Sequence, residues 1–307
     1  MDLFQLKGVM KQFGRRVAVD AVTLSVREGE ILGIVGMNGC GKTTLLKIMV
    51  GYYDADKGTL LYRGQPLKAV KKDMQRELGF TAQESSFYSQ LTVEENISYF
   101  GSLYGLPEKQ LVQHVERVLA FLDLLPQRHR LAEHLSGGMQ RRLELACSLV
   151  HDPKVLILDE PTEDLDPLLR RDILSLIKKV NDLGTTVIIT SHLLGDMQTL
   201  CDRIAVMHQG KILRIGTVEQ LQNMYHGREE IHVHTQSRNY DGLIHDLQLK
   251  EFYVDGPTLV IYTTDADTMV KHIMTVLSNE GDRLLSLDVK KPNLQDVFEE
   301  ITNTRWL

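Results

Sequence analysis

The chain has 307 residues, 43% apolar and 25% charged, with a formal net charge of −6. That length suggests about two domains of ordinary globular composition, and the acidic balance argues against nonspecific nucleic-acid binding. Three cysteines without pairing or metal-like spacing indicate a reducing compartment, and no apolar stretch approaches the roughly 18–20 residues of a membrane span.

The first ten residues, "MDLFQLKGVM", lack the basic start and apolar core of a signal peptide, so a cytoplasmic chain is expected. Up to about residue 80 the pattern reads as short strands plus one helix. "AVTLSV" alternates, as a half-exposed antiparallel strand does. Ile31 to Val35 is an apolar run between Gly29 and Gly36, the mark of a buried strand. "GMNGCGKTT" follows, and "KTTLLKIMVG" then has helical spacing up to Gly51. Gly36, Gly41, Lys42 and Thr43 satisfy the pattern G-x-x-x-x-G-K-[ST]. In a strand–loop–helix setting this pattern turns backbone N–H groups and a helix N-terminus onto an anion. Lys42 brings a charge to β- and γ-phosphates, and the Thr43 hydroxyl can ligate Mg²⁺. The whole loop, Gly36, Met37, Asn38, Gly39, Cys40, Gly41, Lys42, Thr43 and Thr44, is therefore expected to hold a nucleoside triphosphate. The Cys40 thiol, at a helix N-terminus beside Lys42, is expected to have a lowered pKa and to be open to alkylation.

From Ser86 to about Val150 the pattern turns helical. Thr92 and Glu95 form a capping box. Leu111, Val115, Val118, Leu119 and Leu122 recur at helical spacing behind Pro107. In "LSGGMQRR", Ser136 is a fit N-cap, and Gly137 and Gly138 leave N–H groups open at a second anion-facing helix start. One lysine-bearing loop and two such helix ends point to a nucleotide held by another subunit. "KVLILDE" reads as a strand buried on both faces. At its C-terminal end Asp159 can hold Mg²⁺ through water and Glu160 can polarise an attacking water. Asp166 before Pro167 is an N-cap with proline at the first helical position. Strands and helices then alternate through "TTVIITSH" to "RIAVMHQGKILRIG", as in a parallel sheet with helices on its faces.

The last 80 or so residues give the order βαββαβ, with Asp255-Gly256 where a hairpin turn belongs, then a helix after Pro292. A small α+β, ferredoxin-like split βαβ domain is expected at residues 228–307. His232 and His234 share a strand face without a convincing third ligand and read as surface histidines.

The set "GMNGCGKTT", "LSGGMQ", "VLILDEP" and "TSH", in this order, resembles the ATP-binding subunit of an ABC transporter over about residues 1–225. The resemblance implies an α/β P-loop NTPase, a RecA-like core with antiparallel β and helical subdomains, the helical one at about 86–150. It implies ATP and Mg²⁺ as ligands, and an ATPase in which Phe13 stacks on adenine. Gln83 becomes the glutamine that touches Mg²⁺ beside the membrane-subunit contact. Ser136, Gly137 and Gly138 become the signature that closes on the opposite subunit's γ-phosphate. Asp166 lies in the loop at the seam, and His192 contacts the γ-phosphate. The implied partners are an integral membrane permease and a second ATP-binding subunit, in a homodimer or heterodimer with no nucleic acid, on the inner face of the membrane. "LTVEENISYFGSLYGL" and the appended domain resemble exporter subunits. Two positions depart from the family: Asp164 stands where glycine is usual and Cys40 where alanine is commoner. A soluble ABC ATPase of ribosomes or DNA repair is the alternative, although such chains usually carry two ATP units, coiled-coil inserts or zinc inserts.

Overall fold

The computed structural model describes residues 1–83, 86–224, 229–290 and 294–302. The chain divides into two compact units, Met1–Thr217 and Val218–Leu307. The expected boundary at 225–228, Pro292 and the end of the final helix beyond 302 lie outside the described residues.

In the first unit the chain runs β1 (Asp2–Phe13), β2 (Arg16–Arg27), β3 (Ile31–Val35), α1 (Lys42–Met49), β4 (Lys57–Tyr62), β5 (Gln65–Pro66), α2 (Leu67–Arg76) and β6 (Leu78–Thr81). It continues through α3 (Val93–Leu103), α4 (Glu108–Phe121), α5 (Gly137–Leu149), β7 (Val155–Asp159), α6 (Pro167–Asp182), β8 (Thr186–Ser191), α7 (Leu194–Leu200), β9 (Arg203–His208) and β10 (Lys211–Gly216). Two sheets result, an antiparallel one in the order β2-β1-β4-β5 and a six-stranded one in the order β10-β9-β3-β8-β7-β6. In the second sheet β3 pairs in parallel with both β8 and β9, β7 with β6 and β8, and only β10 runs antiparallel.

Every residue of β3, β7 and β8 is buried, which is why these strands read as continuous apolar runs rather than alternating ones. β2 does alternate: Val22, Leu24 and Val26 point into a core that also takes Phe4, Leu6 and Leu45, while their neighbours face solvent. Each such buried side chain contributes roughly 1.5–3 kcal/mol. α2 forms within a stretch expected to hold strands and a single helix. Only Leu67 and Met74 of this helix are buried, too little apolar periodicity to announce it. Thr92 caps α3 as expected, accepting from the Glu95 N–H while the Glu95 carboxylate accepts from the Thr92 N–H.

The second unit holds α8 (Val218–Met224), β11 (Glu229–Thr235), α9 (Asp241–Asp246), β12 (Phe252–Asp255), β13 (Thr258–Thr263), α10 (Ala266–Glu280), β14 (Leu284–Lys290) and α11 (Leu294–Thr302). Its sheet is fully antiparallel in the order β12-β13-β11-β14, the arrangement of a split βαβ fold. Ile231, Val233, Leu259 and Ile261 pack against Leu243, Ile273 and Leu277 of the helices. His232 Nε2 lies 2.9 Å from Glu230 Oε2, and among the described residues no group of three or more His, Cys, Asp or Glu side chains forms a metal cage.

Candidate functional site

The parallel ladder sets the site. β3, β7 and β8 end side by side, with Val35 opposite Ser191 and Asp159 opposite Thr190. The phosphate loop, the acids of "LDE" and His192 therefore emerge at one edge, where open α/β sheets bind ligands. Around the loop lies a cleft of about 420 Å³ lined by Phe13, Arg16, Ala18, Asn38, Gly39, Gly41, Lys42, Thr43, Thr44, Gln83 and Glu160.

The loop needs its glycines for different reasons. Gly41 precedes α1 at φ 114°, and a Cβ there would strike the Ala18 carbonyl. At Gly36 a Cβ would strike the Met207 carbonyl and the Cys40 sulfur. The Cys40 carbonyl accepts from the Gly210 N–H at 2.8 Å, and the Gly210 carbonyl accepts from the Asp20 N–H at 2.8 Å. The turn between β9 and β10 thus ties the loop to β2. Cys40 faces inward. It is 8% exposed, and burial pushes its thiol above the ordinary range despite the opposing Lys42 charge. The expectation of a lowered pKa is overturned: desolvation outweighs the ammonium and the helix end.

Lys42 Nζ donates to the Gly36 carbonyl at 2.7 Å and lies 2.9 Å from Glu160 Oε1. Both side chains are buried. The other Glu160 oxygen, Oε2, is 3.0 Å from His192 Nδ1 and accepts from the His192 N–H at 3.3 Å. Glu160 itself has φ 51°, left-handed and strained for a side chain of this kind. Asp159 is 1% exposed. Its Oδ1 accepts from the Thr190 hydroxyl at 2.7 Å, and its Oδ2 has no hydrogen-bond partner.

Phe13 is 43% exposed at the mouth of the cleft. Tyr53 meets it edge-on, with ring centroids 5.2 Å apart, and Lys11 Nζ sits 5.5 Å from its centroid. Gln83 Nε2 donates to Glu163 Oε2 at 2.8 Å, which leaves its carbonyl oxygen to accept.

Ser136, Gly137, Gly138 and Asp166 do not line this cleft. Ser136 stands at the N-cap position of α5, but its side chain makes no capping hydrogen bond, contrary to its expected job. It is exposed, as is Gly137. Gly138 packs under Leu169 of α6, where a Cβ would crowd the leucine. Asp166 Oδ1 caps α6, accepting from Leu168 N–H at 2.9 Å and Leu169 N–H at 3.0 Å. Leu168 beside it is 68% exposed. Asp164 adopts the left-handed backbone at φ 61° that glycine usually supplies.

Three residues escaped the sequence reading. Arg16 lines the cleft and donates to the Gly39 carbonyl at 2.9 Å; its only signal was a basic turn three residues after Phe13. Glu163 holds Gln83. Thr190, a polar residue inside an apolar run, touches both acids.

A family model described as "ABC transporter" matches residues 19–163. The linearmycin resistance ATP-binding protein LnrL of Bacillus subtilis (strain 168) is 30% identical over 98% of this chain and 98% of its own length. Nod factor export ATP-binding protein I of Sinorhizobium fredii is 32% identical over 97% of this chain and 85% of its own length. Among solved structures, the ADP conformation of MJ1267, an ATP-binding cassette of an ABC transporter, is similar with a TM-score of 0.66 and 27% identity, covering 72% of this chain and 92% of that one. cbiO1 from Clostridium perfringens, part of the ABC transporter complex cbiONQ, has a TM-score of 0.66 at 26% identity, covering 72% of this chain and 90% of its own.

Proposed function

We propose, for a chain that belongs to the ABC transporter family of ATP-binding subunits and hydrolyses ATP to power transport, that two such chains close over two ATP molecules. One observation carries this reading: the lysine-bearing cleft and the exposed helix start at Ser136 and Gly137 are separate features of one chain. A second chain is the simplest source of a signature for each cleft.

Each residue then has a task. Phe13, held by Tyr53 and Lys11, offers an exposed ring to adenine. The loop from Gly36 to Thr44 surrounds the phosphates, with Lys42 released from Glu160 to the β- and γ-oxygens. Glu160, once free of Lys42, accepts the proton of a water aligned with the γ-phosphate. His192 holds the carboxylate on its other oxygen and reaches the γ-phosphate. Ser136, Gly137 and Gly138 of the opposite chain present N–H groups to the same phosphate, and Asp166 lies at the seam. The buried, unpartnered Asp159 Oδ2 fits a cation site. Asp159, through a water, with the Thr43 hydroxyl and the Gln83 carbonyl, would hold Mg²⁺. Mg²⁺ bound there supplies charge neutralisation at the β- and γ-phosphates.

ATP favours the closed pair because only that state satisfies the signature N–H groups, a shift between two populations. Subunits of this family work with membrane permease components. Among the described residues no helix is long and apolar enough to cross a membrane; a separate permease subunit is proposed to hold the chain at the inner face of the membrane. Export is the proposed direction, on similarity to proteins named for Nod factor export and linearmycin resistance. Residues 1–225 are assigned as the ATP-binding domain and 228–307 as an accessory domain, although the compact units divide earlier, between Thr217 and Val218, which puts α8 in the second. The test is Glu160→Gln with ATP in size-exclusion chromatography with light scattering: a dimer that reverts to monomer when ATP is removed supports the reading. A monomer throughout, with fast turnover, contradicts it.

A further inference from the structure

We propose that Thr190 is the positioning residue for the cation of the nucleotide cleft, fixing the Asp159 carboxylate so that Oδ2 alone is left to take a metal-bound water. The proposal rests on the assignment of Asp159 above.

Thr190 faces Asp159 because the two are direct partners in the parallel ladder of β7 and β8. It is fully buried. A threonine in a strand has few accessible χ1 wells, so its hydroxyl is held rather than searching. That hydroxyl has one proton and two lone pairs, and the structure uses both kinds. It donates to Asp159 Oδ1 at 2.7 Å and accepts from the Glu160 N–H at 3.0 Å. The two acids of the site are thereby locked to one atom. Glu160 leaves the strand with a left-handed backbone, φ 51°. A strained turn persists only where its surroundings fix it, and the bond to Thr190 is one such restraint.

The consequence for Asp159 is asymmetric. One carboxylate oxygen is satisfied and the other is buried without a partner. A buried carboxylate oxygen left unpaired costs free energy unless a ligand completes it. Valine would fill the same volume and suit the strand as well, so packing alone gives no reason for a hydroxyl here. The Thr190 hydroxyl acts on the cation through Asp159, as outer-shell groups orient inner ligands elsewhere.

The experiment is a Mn²⁺ titration read by electron paramagnetic resonance. The full chain is saturated with a non-hydrolysable ATP analogue, and Thr190→Val and Thr190→Ser are compared with wild type. Affinity for the same analogue in EDTA serves as the metal-free reference. The expected result is Mn²⁺ affinity on the order of 10- to 100-fold weaker in Thr190→Val and near wild type in Thr190→Ser, with any change in metal-free binding much smaller than the change in Mn²⁺ affinity. Wild-type Mn²⁺ affinity in Thr190→Val overturns the proposal. So does a Thr190→Ser as weak as the valine variant, which would make shape rather than the hydroxyl decisive. Loss of metal-free nucleotide binding in Thr190→Val overturns it too, because Thr190 would then support the cleft as a whole. If wild type with the analogue takes up no Mn²⁺, the assignment of Asp159 falls first and takes this proposal with it.

Discussion

Lys42 is paired with Glu160, and that pairing has a measurable cost for ATP. The ammonium and carboxylate are 2.9 Å apart and both nearly buried, at 5% and 4% exposure. ATP must pull Lys42 away before its phosphates can use the charge. Glu160→Gln keeps the shape and the contact with His192 but removes the negative partner, leaving Lys42 with only the Gly36 carbonyl. Breaking a buried pair from one side costs about 3–5 kcal/mol. These groups line an open cleft where water relaxes the penalty, so about 1–3 kcal/mol is the expected loss in the empty state. At about 2–4 °C per kcal/mol for a unit of this size, the melting temperature without nucleotide falls by about 2–12 °C. The same free energy reappears as affinity, since ATP no longer breaks an ion pair, and binding tightens about 5- to 150-fold. Isothermal titration with ATP in EDTA, where neither protein turns over, together with a thermal melt reads both effects. Equal affinity and equal melting temperatures would refute the reasoning, because the pair would then contribute nothing.

The Cys40 thiol is buried and its pKa raised, so maleimide at neutral pH labels it slowly in the native chain and rapidly in urea. Rapid native labelling of Cys40 contradicts this. His151 stacks on Tyr104 with ring centroids 3.5 Å apart, and burial pushes its pKa down from 6.5 to about 4. Between those values the unfolded chain binds more protons than the folded one, so stability is full above pH 6.5 and lost as the pH falls. The loss between pH 7 and pH 5 is about 2 kcal/mol. Urea midpoints should show it in wild type and less of it in His151→Gln, and an identical pH slope in the two proteins rules it out. Asp166→Ala removes the side-chain acceptor for two N–H groups of α6, which costs about 1 kcal/mol. A melt lowered by about 2–4 °C is expected, and an unchanged melt contradicts the cap.

Much of the placement of the candidate site was legible because its sequence pattern is local. Lys42 and Thr43 follow a glycine loop between a buried strand and a helix, and Asp159 ends, and Glu160 follows, a strand whose other residues, Val155 to Leu158, are all apolar. Thr92 and Glu95 make their capping box within four residues, and the turn at Asp255 and Gly256 joins β12 to β13 where the pattern put it. What stayed hidden depends on residues distant in the chain. Cys40 is desolvated inside a loop tied down by Gly210, which no local pattern reveals. Thr190 meets Asp159 only through the ladder register, 31 residues apart. Ser136 has the sequence of a cap, yet its hydroxyl is left exposed and without a capping bond. Asp164 went the other way: the unusual residue adopts the left-handed backbone that glycine usually supplies.

The central claim is that half of each catalytic pocket belongs to another chain, and dilution tests it directly. Specific ATPase activity of the purified chain, followed from micromolar to low nanomolar concentration at saturating ATP, should fall steeply as pairs dissociate, and recover on concentration. Activity per chain that stays constant down to a concentration where light scattering and mass photometry find only monomers would contradict the account.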